Sequence, residues 1–170
     1  MDDDDEKANT ESAIAEQVKN GLRASIRGDR YMKSTISMFI TILGSSSHTS
    51  CDLSYAITCA SLALANAGIE LYDLIAASTW IFIREDPNEK EDSNLSLRNM
   101  TQYPLLGQLH PSQIAASTTV ASIQSQDATT QLLCRGGIDF ELVQKSMSMA
   151  CDYNVELRER LSEHLKSGLS

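Results

Sequence analysis

Residues 52–67 are made almost entirely of Ala, Ser, Leu and other small or apolar types, with Asp52 the only charge, and the stretch closes on Asn66-Ala67-Gly68. A helix this poor in charge has little to offer water and must be covered, and its small side chains allow close approach to a sheet. Ser50 or Asp52 suits its N-cap, and Gly68 suits the left-handed residue that stops it. Two uncharged runs rich in β-branched and aromatic residues flank it. They are 35–43 (TISMFITIL), bounded by Lys33-Ser34 and Gly44-Ser45-Ser46-Ser47, and 74–83 (LIAASTWIFI). Both read as strands, the second as a buried one.

Upstream, Ile14, Val18, Leu22 and Ile26 recur every four positions, predicting a helix over 11–28 that Gly28 ends. Lys19, Arg23 and Arg27 repeat on another face of that helix and Arg30 follows the stop. This basic stripe is the candidate RNA-binding set, with a solvated face as the plainer alternative. Downstream, 84–103 holds much of the mid-chain charge with Pro87 and several Asn and Ser, and reads as an exposed insertion loop. Residues 117–124 and 129–134, separated by Ser125-Gln126-Asp127, form a plausible hairpin. Gly136-Gly137 then introduces Asp139, a good N-cap, and a last helix with Phe140, Val143, Met147, Cys151, Leu157, Leu161 and Leu165 at helical spacing. The order fits one α+β domain over 11–167, and 170 residues with 42% hydrophobic content bury one core and not two.

Charge limits the partners. Against 14 Lys and Arg stand 23 Asp and Glu, a net charge of −9, so a global grip on nucleic-acid phosphates is excluded and any RNA contact must be local or shared. Five of those acids are Asp2 to Glu6, and residues 1–10 are expected to be a disordered acidic tail. Leaving those five aside, 14 basic against 18 acidic residues give the body −4. No apolar run is long enough for a membrane helix and the first residues are acidic, so neither a span nor a signal peptide is expected, and the chain reads as intracellular with no membrane partner. Aromatic content of 5% argues against a base-stacking RNA platform.

Motifs for chemistry are sparse. Cys51, Cys59, Cys134 and Cys151 have no C-x-x-C spacing and read as buried free thiols. His48, His110 and His164 are isolated, so no metal site is expected. The sequence has no Gly-rich nucleotide loop or zinc-protease motif, and Ser45 to Ser47 beside His48 lack an orienting third group. No cofactor is implied.

One segment carries a resemblance. Residues 57–77 (ITCASLALANAGIELYDLIAA) resemble the second half of the RNase PH family, where a helix ends in a signature close to Leu-Ala-Leu-Ala-Asp-Ala-Gly-Ile. Upstream, Gly28-Asp29-Arg30-Tyr31 and the run to Leu43 are similar to the family's helix, Arg-Tyr-Pro turn and strand, with Met32 where Pro is usual. Downstream, Thr118-Thr119-Val120-Ala121, the Gly136-Gly137 turn and the last helix fall in family order, so the likeness spans about 11–165. It implies an RNase PH-like (ribosomal protein S5 domain 2-like) fold. That fold carries a set of strands ahead of the helix placed at 11–28. Either the chain is a truncated form, which we expect, or a shortened subunit completes its sheet with a neighbour.

Within the family the chain looks most like the RNase PH-type ring subunits of the eukaryotic RNA exosome. Active members hold phosphate through an Arg between the strand and the helix, since phosphorolysis needs a fixed guanidinium and a helix N-terminus. Counting from the strand puts that Arg at Ser50, and counting back from the helix puts it at Leu53. No Lys or Arg lies between Lys33 and Arg84. A family carboxylate corresponds to Leu105-Leu106-Gly107-Gln108, which offers no acid. The resemblance therefore implies a non-catalytic subunit with no catalytic residues. Its partners would be other RNase PH-like ring subunits, RNA-binding cap subunits and threaded RNA, in nucleus, nucleolus and cytoplasm. The alternative is an active phosphate-dependent 3′-to-5′ exoribonuclease in which Arg84, Arg98 or Arg135 replaces the missing Arg.

Overall fold

The computed structural model describes residues 3–44, 49–84, 95–101 and 113–168. In chain order the elements are α1 (Asp3–Arg23), a 3-10 turn (Gly28–Arg30), α2 (Thr49–Asn66), β1 (Ile75–Arg84), β2 (Leu95–Asn99), β3 (Ile114–Ile123), β4 (Ala128–Gly136) and α3 (Phe140–Gly168). The four strands form one antiparallel sheet in the order β2-β1-β3-β4. The class is α+β, with helices on both faces of the sheet.

Alternation along β1 sorts the two faces. Ile75 and Ala77 join Ala121 and Ile123 of β3 in a core with Ile57, Leu53 and Leu64 of α2 and Val18 and Leu22 of α1. Ile81 and Ile83, on the same side, pack with Cys51 and Met100. Trp80 and Val120 face the other way and meet Ala150 of α3. The helix rich in small residues is buried as its composition demands, with Ile57 fully enclosed. Gly68 takes φ +73 just past its end, and the N–H of Ile69 closes on the Leu64 carbonyl at 3.0 Å. The hairpin of β3 and β4 is also as read, turned by Gln124–Gln126 with Asp127 in the left-handed region.

Several expectations are corrected. Helix α1 begins at Asp3, within the stretch read as a disordered tail. It ends at Arg23 and not at Gly28: the Ser25 hydroxyl donates to the Leu22 carbonyl at 2.8 Å, and Ile26 leaves to bridge Leu71. Of residues 84–103, the described part, 84 and 95–101, is not an exposed loop, and 85–94, 102 and 103 lie outside the described residues. Strand β2 lies in the described part, paired to β1 from Trp80↔Asn99 to Arg84↔Leu95, and Asn99 and Met100 are buried. The free edge of a fully buried strand needs a ladder partner, and the Leu95-Ser-Leu97 alternation supplies it. Cys51 is buried and Cys151 half-buried, but Cys59 and Cys134 are exposed thiols. Phe140, expected on the apolar face of the last helix, is 79% exposed, since it is the first residue of α3.

The largest departure is at 35–43. This run reads as a strand, yet no described strand pairs with it, and Phe39 and Leu43 stand 93% and 97% exposed. Only Ile36 and Met38 pack partly against the core.

Candidate functional site

The first turn of α2 sits on a layer of hydroxyls from the sheet. Thr79 of β1 and Thr119 of β3 are register partners, and their hydroxyl oxygens are 2.9 Å apart. The Thr79 hydroxyl donates to the Ser50 carbonyl at 2.8 Å, and the Ser50 and Ser117 hydroxyls are 3.1 Å apart. All four side chains are buried. The short polar side chains thus satisfy one another and dock the helix start at close range.

That docking decides what the helix end can do. Ser50 and Leu53, where the resemblance counts the phosphate-holding Arg, are both 1% exposed, the first committed to Ser117 and the second to the core. Asp52, buried in the same turn, brings a carboxylate to the positive end of the helix dipole. An anion arriving there would meet the same-sign charge of Asp52.

Among the described residues, two cations flank this end in the strand register. Register places Arg98 opposite Ile81, Ile81 opposite Ser117, and Ser117 opposite Arg135, so one row across the sheet carries both exposed guanidinium groups on the α2 side. Arg135 is one strand away from Ser117 and Arg98 two, so their backbones are about 14 Å apart at roughly 4.8 Å per strand. Arg84 alternates to the α3 side. Leu105 to Gln108, the stretch aligned to the family's carboxylate, lies outside the described residues. Among the described residues no cluster of His, Cys, Asp and Glu could hold a metal ion, and no helix is long and apolar enough to cross a membrane.

The basic stripe is split by the early end of α1. Lys19 and Arg23 remain on the helix, Lys19 3.4 Å from Glu16 and Arg23 exposed. Arg27 and Arg30 lie beyond it and converge on Glu70 at 3.5 and 3.4 Å. Arg27 also lies 3.5 Å from Asp29 and 5.7 Å above the Tyr72 ring. The Tyr31 hydroxyl accepts from the Glu70 N–H at 2.9 Å, and backbone bonds from Arg27 to Glu70 and from Tyr72 to Ser25 finish the lock. Two of the four stripe residues therefore tie the exit of α1 to the exit of α2. Sequence reasoning missed Glu70 as their partner because it is forty residues away.

Sequence reasoning also missed Asp73. Its carboxylate accepts from the Arg158 guanidinium of α3 at 2.9 Å and from the Ser125 N–H at 3.0 Å, holding the start of β1, the β3–β4 turn and α3 together.

Comparison with known proteins bears on the first part of the molecule. Residues 2–70 match the model of the RNase PH family, the 3′ exoribonuclease family, domain 1. This supports the RNase PH family for the chain. The matched stretch runs through α1, the 35–43 run and α2, up to Glu70 in the lock between them. No curated protein matches the chain.

Proposed function

We propose that the chain is a non-catalytic, structural subunit of the RNase PH type in the core ring of the RNA exosome, supporting 3′-to-5′ RNA processing and degradation, including rRNA processing and mRNA turnover. Among such subunits it is most like the one first named for an mRNA-transport defect. The observation that carries the reading is the first turn of α2. In a phosphorolytic site that turn faces an anion, whereas here Ser50 and Leu53 are buried and Asp52 brings a negative charge. The fold of such a subunit is the ribosomal protein S5 domain 2-like one. Its partners are other RNase PH-like ring subunits and RNA-binding cap subunits, its RNA is threaded through the ring, and its location is nucleus, nucleolus and cytoplasm.

RNA contact falls to Lys19 and Arg23 on the helix, with Arg27 and Arg30 held by Glu70. Charge reversal at Arg23 and Arg27 is expected to weaken RNA crosslinking to the assembled ring, and an unchanged crosslink removes them from the site. Affinity purification of the tagged endogenous protein with mass spectrometry tests membership: RNase PH-like and cap subunits are expected, and recovery of this chain alone removes the ring role.

A second reading, an active phosphate-dependent 3′-to-5′ exoribonuclease, is favoured by the Arg98–Ser117–Arg135 row. Phosphate-dependent release of nucleoside diphosphates from poly(A) by the assembled complex separates the two. Release that is unchanged by Arg98→Ala with Arg135→Ala supports the structural reading, and release lost with those arginines supports the active one.

A further inference from the structure

The start of β1, the β3–β4 turn and α3 meet at Asp73, and beside that meeting point lies a cleft of about 60 Å³. Ser122, Gln124, Asp127, Thr129, Asn154 and Arg158 bring polar side chains to its wall. Two of them carry buried polar atoms that no hydrogen bond reaches among the described residues, Asn154 Oδ1 and Arg158 Nε.

Both atoms are fixed by what their side chains already hold. Asn154 is 2% exposed, and its Nδ2 donates to the Val120 carbonyl at 3.2 Å and to the Ser122 hydroxyl at 3.1 Å. A carbonyl can only accept, so the amide cannot be turned about, and Oδ1 remains as an acceptor. Arg158 commits Nη1 to the Asp73 carboxylate at 2.9 Å, and its Nε–H remains as a donor. Positions 154 and 158 are one turn apart on α3, which sets the two side chains on one face with Cβ atoms about 5–6 Å apart.

A buried donor and a buried acceptor each carry a desolvation penalty until something meets them. An anion would accept from Nε–H but be opposed by Oδ1 and by the Asp73 carboxylate. A cation would suit Oδ1 but be opposed by the guanidinium. A small neutral molecule that both donates and accepts suits the pair, and the cleft has room for about two waters at roughly 30 Å³ each.

We propose that this cleft is a hydration site, in which an ordered water accepts from Arg158 Nε–H and donates to Asn154 Oδ1. This goes beyond the ring reading and does not rest on it. The water completes a polar seam from the Val120 carbonyl through Asn154 and Arg158 to Asp73, so that α3 ties the end of β3 to the start of β1.

A high-resolution crystal structure of the full chain, native and soaked in bromide, tests the site. The expected result is a density peak within about 3.2 Å of both atoms, with no anomalous bromide signal. In Arg158→Lys the ammonium keeps a positive charge for Asp73 but no Nε–H remains, and the peak is expected to be lost. In solution, the wild-type Arg158 Nε–H is expected to show dipolar cross-relaxation at the water frequency, distinguished by its sign in the rotating frame from proton exchange. No peak between the two atoms, a bromide signal there, a peak kept in Arg158→Lys, or exchange without cross-relaxation would each overturn the proposal.

Discussion

Strand β1 and the run 35–43 have nearly the same sequence character, and they have opposite fates. β1 is paired on both edges and covered on both faces, with nine of its ten residues buried. The other run, equally rich in Ile, Thr and Phe, has no ladder among the described residues and leaves two of its largest side chains exposed. Strand propensity is thus a demand for partners rather than a structure in itself. In β1 the demand is met on both edges, while no described strand meets it for 35–43.

Stability measurements should separate the two most sharply. Ile81→Ala, at a side chain with no exposure, is expected to cost about 3 kcal/mol, while Phe39→Ala measured in dilute protein is expected to cost less than about 0.5 kcal/mol. Equal losses in denaturant titrations would mean that 35–43 belongs to the packed sheet. Next in size is the anchor at the start of β1. Arg158→Ala leaves the shielded Asp73 carboxylate without its cation and is expected to cost about 1–3 kcal/mol. A loss no larger than that of an exposed pair such as Glu156 with Arg160 would deny it an anchoring role.

Smaller effects belong to the lock between the two helix exits. Glu70→Gln frees Arg27 and Arg30, and because the pairs are exposed the stability change is expected to stay below about 1 kcal/mol. RNA crosslinking in the assembled ring is expected to rise, and a fall would show that Glu70 itself organises the contact. The smallest effect is alkaline. Burial pushes the Tyr55 phenol above its ordinary 10.0, with negative charge at Cys51, Tyr153 and Asp52 acting the same way, and burial also raises Tyr153. Both phenols then ionise first in the unfolded chain, so their contribution is full below pH 10.0 and is lost as pH rises through the raised folded values. Tyr55→Phe with Tyr153→Phe should flatten that loss, as followed by denaturation against pH.

Much of this architecture was legible because its signals are local. The small-residue composition of 52–67, the stop at Gly68 and the alternation of 117–124 each name their own structure. What escaped depends on residues far apart. β2 exists because β1 has a bare edge, and its five residues carry too little pattern to stand out within a charged stretch. The helix read to Gly28 stops at Arg23 because Ile26 finds Leu71, forty-five residues on. For the site, the absence of any Lys or Arg from 34 to 83 was plain, but the burial of Asp52 and the hydroxyl layer of Thr79, Ser117 and Thr119 needed the register of three elements.

That first turn of α2 is where structural and catalytic readings part, and phosphate itself is the most direct probe. Backbone amide shifts of residues 49–53 in the full chain would be followed by NMR as inorganic phosphate is added. No saturable shift is expected, because the turn is docked on hydroxyls and brings the Asp52 carboxylate to its positive end. A saturable shift at these amides that disappears with Arg135→Ala would contradict the structural reading and turn the Arg98–Ser117–Arg135 row into an anion site.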